Sequence, residues 1–77
     1  GMQDIRLFPI PVSQRLTISG LQGRTTVSLV TITGSKVMVL TGEGSDLQAD
    51  VSGLVRGIYL VVIETGTGRT TRKITVR

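Results

Sequence analysis

The 77-residue chain has no cysteine, no histidine and no tryptophan, and a single phenylalanine (Phe8) and a single tyrosine (Tyr59). Without cysteine there is neither a disulfide framework nor a thiolate metal site. With histidine missing as well, the usual zinc centres, the Ser-His-Asp triad and the Cys-His pair have no members. Two aromatics make no platform for stacking single-stranded bases. Acidic residues are also scarce, five against nine Lys and Arg, for a formal charge of +4. The longest apolar run, Ile58-Tyr59-Leu60-Val61-Val62-Ile63, is six residues, where a membrane-spanning helix needs about 20. No membrane insertion is expected. Met2–Arg6 lacks the basic start and apolar run of a signal peptide, and Gly1 before Met2 reads as a cloning scar.

Aliphatic and β-branched residues dominate what is present. A chain about half the usual ~100–200 residue domain size makes one small domain, so residues 1–77 are read as one unit. The apolar fraction of 39% is mostly Val, Ile and Leu, too much for disorder and enough for an aliphatic core. Eleven Thr add to the strand tendency. Nowhere does an apolar i, i+3, i+4, i+7 stripe lie between helix caps, so no α-helix is predicted.

The pattern predicts seven strands. Asp4–Phe8 puts Ile5 and Leu7 on one face and is ended by Pro9 and Pro11, which cannot donate to a ladder. Arg15–Ser19 turns Leu16 and Ile18 inward. After the Gly20–Gly23 turn, Thr25–Thr33 changes phase, from Val27 and Leu29 to an inward Ile32 joined by Val30, which suggests a bulge or a strand buried on both faces. Gly34-Ser35 reads as a two-residue hairpin with glycine where φ is positive. Lys36–Thr41 follows. Asp46–Val51 alternates cleanly, Leu47, Ala49 and Val51 against Gln48 and Asp50. Ser52–Gly57 crosses over, with Leu54 as a plug into the core. Ile58–Glu64 is apolar on both faces, as a central strand is. Thr65–Gly68 turns into Arg69–Val76, with Ile74 and Val76 inward and Lys73, Thr75 and Arg77 outward. The fold class expected is all-β, an immunoglobulin-like antiparallel β-sandwich of about seven strands; a five- or six-stranded barrel is the alternative.

Few residues offer chemistry. Glu43 and Asp46 in or beside a loop are a weak echo of a glycosidase carboxylate pair, and with Asp50 of a calcium site, but solubilising loop charge is the better reading. Gly66-Thr67-Gly68 lacks the Lys-Ser/Thr and the helix of a phosphate loop. The Ser and Thr hydroxyls have no base to activate them. No catalysis, no cofactor and no metal are expected. Arg69, Arg72, Lys73 and Arg77 form a basic end, but without a recognition helix or aromatics it reads as a solvated strand face, not a nucleic-acid reader. Asp50-Val51-Ser52 reads as a turn fixed by side-chain to backbone bonds. Tyr59 reads as a core or crevice residue whose hydroxyl finds a backbone partner.

The order of landmarks says more than any one of them: Phe8-Pro9-Ile10-Pro11-Val12, then Leu16-Thr17-Ile18, Val27 to Val37 with Gly34-Ser35-Lys36-Val37, Asp50-Val51-Ser52-Gly53-Leu54-Val55-Arg56-Gly57-Ile58-Tyr59-Leu60-Val61, and Arg72-Lys73-Ile74-Thr75-Val76-Arg77. From Ile5 to Arg77 this resembles the C-terminal sorting domain of type IX secretion cargo proteins in Bacteroidetes. That family shows Pro-Asn-Pro near its start, a Gly-basic-Val hairpin, Asp-Leu-Ser-x-Leu-x-x-Gly-x-Tyr, and a Lys-Ile/Val-x-Val-Lys/Arg finish. Ile10 stands where the family has Asn, removing a turn hydrogen bond, and Val51 replaces Leu. The resemblance implies a non-catalytic delivery signal, covalently linked to an upstream cargo domain, recognised by secretion machinery proteins, and sent through the periplasm and outer membrane to the medium or cell surface. Carried over by position, it implies that Gly57, Ile58, Tyr59, Lys73, Ile74, Val76 and Arg77 serve recognition by the translocon. An edge strand with a free C-terminus and basic side chains would suit strand addition and charge pairing with an acidic receptor. The alternatives are a stand-alone immunoglobulin-like interaction module of the periplasm or surface, or an accessory domain of a secreted enzyme.

Overall fold

The computed structural model describes residues 4–77; the readings of Gly1 as a scar and of Met2-Gln3 fall outside it. Seven strands appear in the expected order: β1 (Arg6–Phe8), β2 (Arg15–Ser19), β3 (Thr25–Thr31), β4 (Lys36–Gly42), β5 (Asp46–Asp50), β6 (Gly57–Thr65) and β7 (Gly68–Val76). They form two antiparallel sheets, β1-β2-β5 and β4-β3-β6-β7. Three hairpins stay within a sheet, and the β2–β3, β4–β5 and β5–β6 connections cross between sheets. This is an immunoglobulin-like sandwich. Two separate sheets set the barrel aside.

Strand alternation builds the core. Leu16, Ile18 and Ala49 from the small sheet meet Val27, Leu29, Tyr59, Val61, Ile63, Ile74 and Val76 from the large one. Leu7, Met38, Leu40, Leu47 and the predicted plug Leu54 pack around them. The predicted irregularity in β3 is present as a register shift between Leu29 and Val30, but the extra residue, Val37, lies on β4. The expected inward Ile32 and Val30 are corrected: Ile32 is 71% exposed, and Val30, opposite Leu60, lies outside the core cluster. β3 ends at Thr31, and the turn is a three-residue loop, Ile32-Thr33-Gly34, not the two-residue Gly34-Ser35. The Thr31 N–H donates to the Ser35 carbonyl and the Gly34 N–H to the Thr31 carbonyl. Gly34, at φ +98°, is the left-handed residue that closes such a loop.

Two corners lock the ends. At the β5–β6 crossing, Ser52 donates both its N–H (3.0 Å) and its hydroxyl (2.6 Å) to Asp50 Oδ1. These bonds, the hydroxyl first, hold the Asp50 carboxyl below its ordinary pKa, with help from Arg15, its register partner on β2. The Tyr59 hydroxyl reaches back to the Val55 carbonyl while its ring sits in the core. A tyrosine near the start of this strand, bonded to the backbone a few residues upstream, is the tyrosine corner of immunoglobulin-like sandwiches.

Candidate recognition surface

The residues singled out by resemblance all lie on the β6–β7 hairpin and its exit. The two strands pair from Gly57↔Val76 to Thr65↔Gly68 around a two-residue turn. Their alternation divides the candidates. Tyr59, Ile74 and Val76 are buried in the core, where they hold the sheet and present no surface. Gly57 has φ +148°, a backbone state that side chains disfavour, so its identity serves the corner preceding β6. Ile58 (47% exposed), Lys73 and Arg77 face solvent. Ile58 pairs with Thr75 and Leu60 with Lys73, so Ile58 and Lys73 are diagonal neighbours on one face.

The basic end is smaller on that face than its sequence suggests. Arg72 is in phase with Ile74 and Val76, is half-buried, and donates from Nη1 to the Ile5 carbonyl at 3.2 Å. It ties β7 to the entry of β1. The solvent-facing cations are therefore Arg69, Lys73 and Arg77, two residues of alternation apart in a Arg-Thr-Lys-Thr-Arg stripe with Thr71 and Thr75.

The edge of β7 is also less open than expected. Val12 makes a parallel bridge to Val76: its N–H donates to the Thr75 carbonyl (2.9 Å), and the Arg77 N–H donates to the Val12 carbonyl (2.8 Å). The segment after β1 thus straps the last turn of the pleat, and strand addition there would first have to displace Val12. Backbone direction alternates along a strand, so the outward groups that pair with no strand of the described residues are those of Arg69, Thr71 and Lys73, together with the N–H of Thr75, whose carbonyl Val12 takes. The sequence pattern ends β1 at Pro9 and Pro11 and gives no role to Val12, which is fully buried; an apolar residue directly after a Pro-x-Pro is its only signal.

Ile58, Lys73 and Arg77 thus share one solvent-facing side of the hairpin, and among the described residues no group of His, Cys, Asp or Glu could hold a metal ion. Residues 6–77 match the secretion system C-terminal sorting domain. The chain belongs to this family. No curated protein matches it. Membership makes this sandwich a type IX secretion sorting signal, of a family that is not catalytic. It implies attachment to an upstream cargo, recognition by the secretion machinery and export toward the outer membrane and beyond.

Proposed function

We propose that this sorting domain is read as a folded tag, through the solvent side of its β6–β7 hairpin. Ile58 supplies an apolar contact, and Lys73 and Arg77 supply charge toward an acidic receptor in the secretion machinery. Tyr59, Ile74 and Val76 shape that surface from beneath, and Gly57 sets the corner where it begins. The domain comprises residues 1–77 at the C-terminal end of a larger secreted protein, has no catalytic activity of its own, and delivers its cargo to the cell surface or the medium. The observation that supports this reading most is the segregation of the candidates: Ile58 and Lys73 are exposed diagonal neighbours, while the apolar members of the same motif are core.

The test is a fusion of the chain to a periplasmic reporter in a host with a type IX system. The K73E/R77E variant changes no buried group, so its melting temperature should stay within a few degrees of the parent while the reporter remains in the periplasm. Undiminished export of K73E/R77E would refute the reading.

A further inference from the structure

The central strand β6 is apolar on both faces, yet only one face is covered. Tyr59, Val61 and Ile63 pack into the core, while Ile58, Leu60 and Val62 point away from the other sheet. A strand that is apolar on both sides is normally buried on both sides.

The register shows that this outer stripe is continuous with its neighbours. Ser28 pairs with Val39 on one side and Val62 on the other, and Val30 pairs with Leu60. Ser28, though outward, is only 4% exposed, because the flanking valines close over it. Val37 (41% exposed) and Val39 (52% exposed) extend the patch to the β4 edge, and Ile58 extends it to the start of β6, beside the end of β7. Contiguous exposed apolar surface on a small soluble domain marks an interaction site.

The rim of this face is cationic. Lys36 opens β4, Lys73 lies beside Leu60, and Arg69 and Arg77 stand at the two ends of β7, all exposed. The one carboxylate on the outer face of these strands, Glu64, is matched in register by Arg69. An apolar centre with a charged rim is the anatomy of a protein interface, and the sign of the rim selects a partner of the opposite sign.

We infer that the whole outer face of the four-stranded sheet, from Val37 and Val39 across Val30, Leu60 and Val62, is a docking surface for a protein partner with an apolar centre and a carboxylate rim. This rests on the proposed reading of the β6–β7 hairpin and enlarges it: the hairpin is the charged margin of a broader apolar contact. Two copies of this chain packed face to face would oppose cationic rims, so the occupant is a different protein.

The experiment combines reporter export from a type IX-competent host with thermal melting and sedimentation of the purified chain. V37T/V39T/V62T keeps shape and strand preference and removes apolar contact. It should melt near the parent while export falls by roughly tenfold or more, the scale on which loss of interface anchors is felt. At the exposed β4 edge, V39E should depress export further than V39K, since only the former opposes a carboxylate rim. If both V37T/V39T/V62T and V39E export like the parent while K73E/R77E is blocked, the broader surface is refuted and the hairpin reading stands. If K73E/R77E also exports normally, both fall. V39K as damaging as V39E overturns the acidic rim. A parent dimer that V37T/V39T/V62T converts to monomer without loss of export overturns the occupant in favour of a second copy.

Discussion

Tyr59 separates shape from recognition, because its hydroxyl and its ring do different structural work. The residue is 6% exposed and its ring belongs to the core, while the hydroxyl donates to the Val55 carbonyl four residues back. Tyr59→Phe deletes the bond and keeps the ring. A neutral intramolecular hydrogen bond contributes about 0.5–1.5 kcal/mol net, and in a domain of this size each kcal/mol moves the melting temperature by roughly 4–8 °C. The expected fall is therefore about 2–12 °C, in a chain that still folds. Tyr59→Ala also removes the ring, at about 3–5 kcal/mol, a large share of the total of roughly 4–12 kcal/mol expected from ~0.05–0.15 kcal/mol per residue. Circular dichroism melts measure both, and reporter export is read below the melting point of each variant. Tyr59→Phe should then export like the parent. A Tyr59→Phe chain that melts like the parent but is not exported would show that the hydroxyl is itself read by the machinery, and the structural account of this residue would be wrong.

Three further outcomes test the fold. Gly20→Ala should be clearly worse than Gly23→Ala in the same melting assay: both glycines have positive φ, but only at Gly20 would a Cβ run into the Asp4 carbonyl; strained backbone alone costs roughly 1–3 kcal/mol, and the collision adds to it. Leu29→Ala should cost about 2–5 kcal/mol by chemical denaturation, while Ile32→Ala, in an exposed loop, should stay within about 0.5 kcal/mol. The Asp50 carboxylate is favoured by Ser52 in the folded chain, so its contribution is present above its unfolded pKa of about 3.9 and is lost as pH falls through the lower folded value. Asp50→Asn should flatten that acid limb of the stability profile; an unchanged slope below pH ~4 would show that the Asp50–Ser52 bonds add nothing.

Most of the sandwich is legible because strands such as β2 and β5 carry a period-two signal and glycines interrupt the runs. Leu16 and Ile18, or Leu47, Ala49 and Val51, specify a buried face without any tertiary information. The errors arise where local pattern has two solutions. Gly34 supplies a positive φ in either loop, so composition alone does not say whether Ile32 belongs to the strand or the turn. β6 is central, as its two apolar faces suggest, but a central place in one sheet does not put a second layer over Ile58, Leu60 and Val62. Arg72 is in phase with Ile74 and Val76, and counting it with the basic end hides the parity that turns it toward the Ile5 carbonyl. Val12 is different: its bridge to β7 joins residues more than sixty positions apart, and nothing near Val12 encodes that contact.

If the hairpin is read as proposed, alternation along β6 and β7 also lets stability and signalling occupy it without competing. The inward parity, Tyr59, Val61, Ile63, Ile74 and Val76, is fixed by the demands of packing, where loss of even a methylene is felt. The outward parity, Ile58, Leu60, Val62, Lys73 and Thr75, is constrained by the fold only to favour strand. The Val12 strap reinforces this division, since it occupies the edge of β7 at Thr75 and Arg77 and leaves the side chains of those residues free to face a partner. A tag built this way is presented only when the sandwich is closed. Core variants such as Leu16→Ala should therefore lose export in step with the unfolded fraction measured at the assay temperature, whereas outer-face variants should lose it at full occupancy of the native state. If Leu16→Ala, largely unfolded, were exported as well as the parent, the machinery would be reading a linear peptide, and neither the face nor its rim would matter.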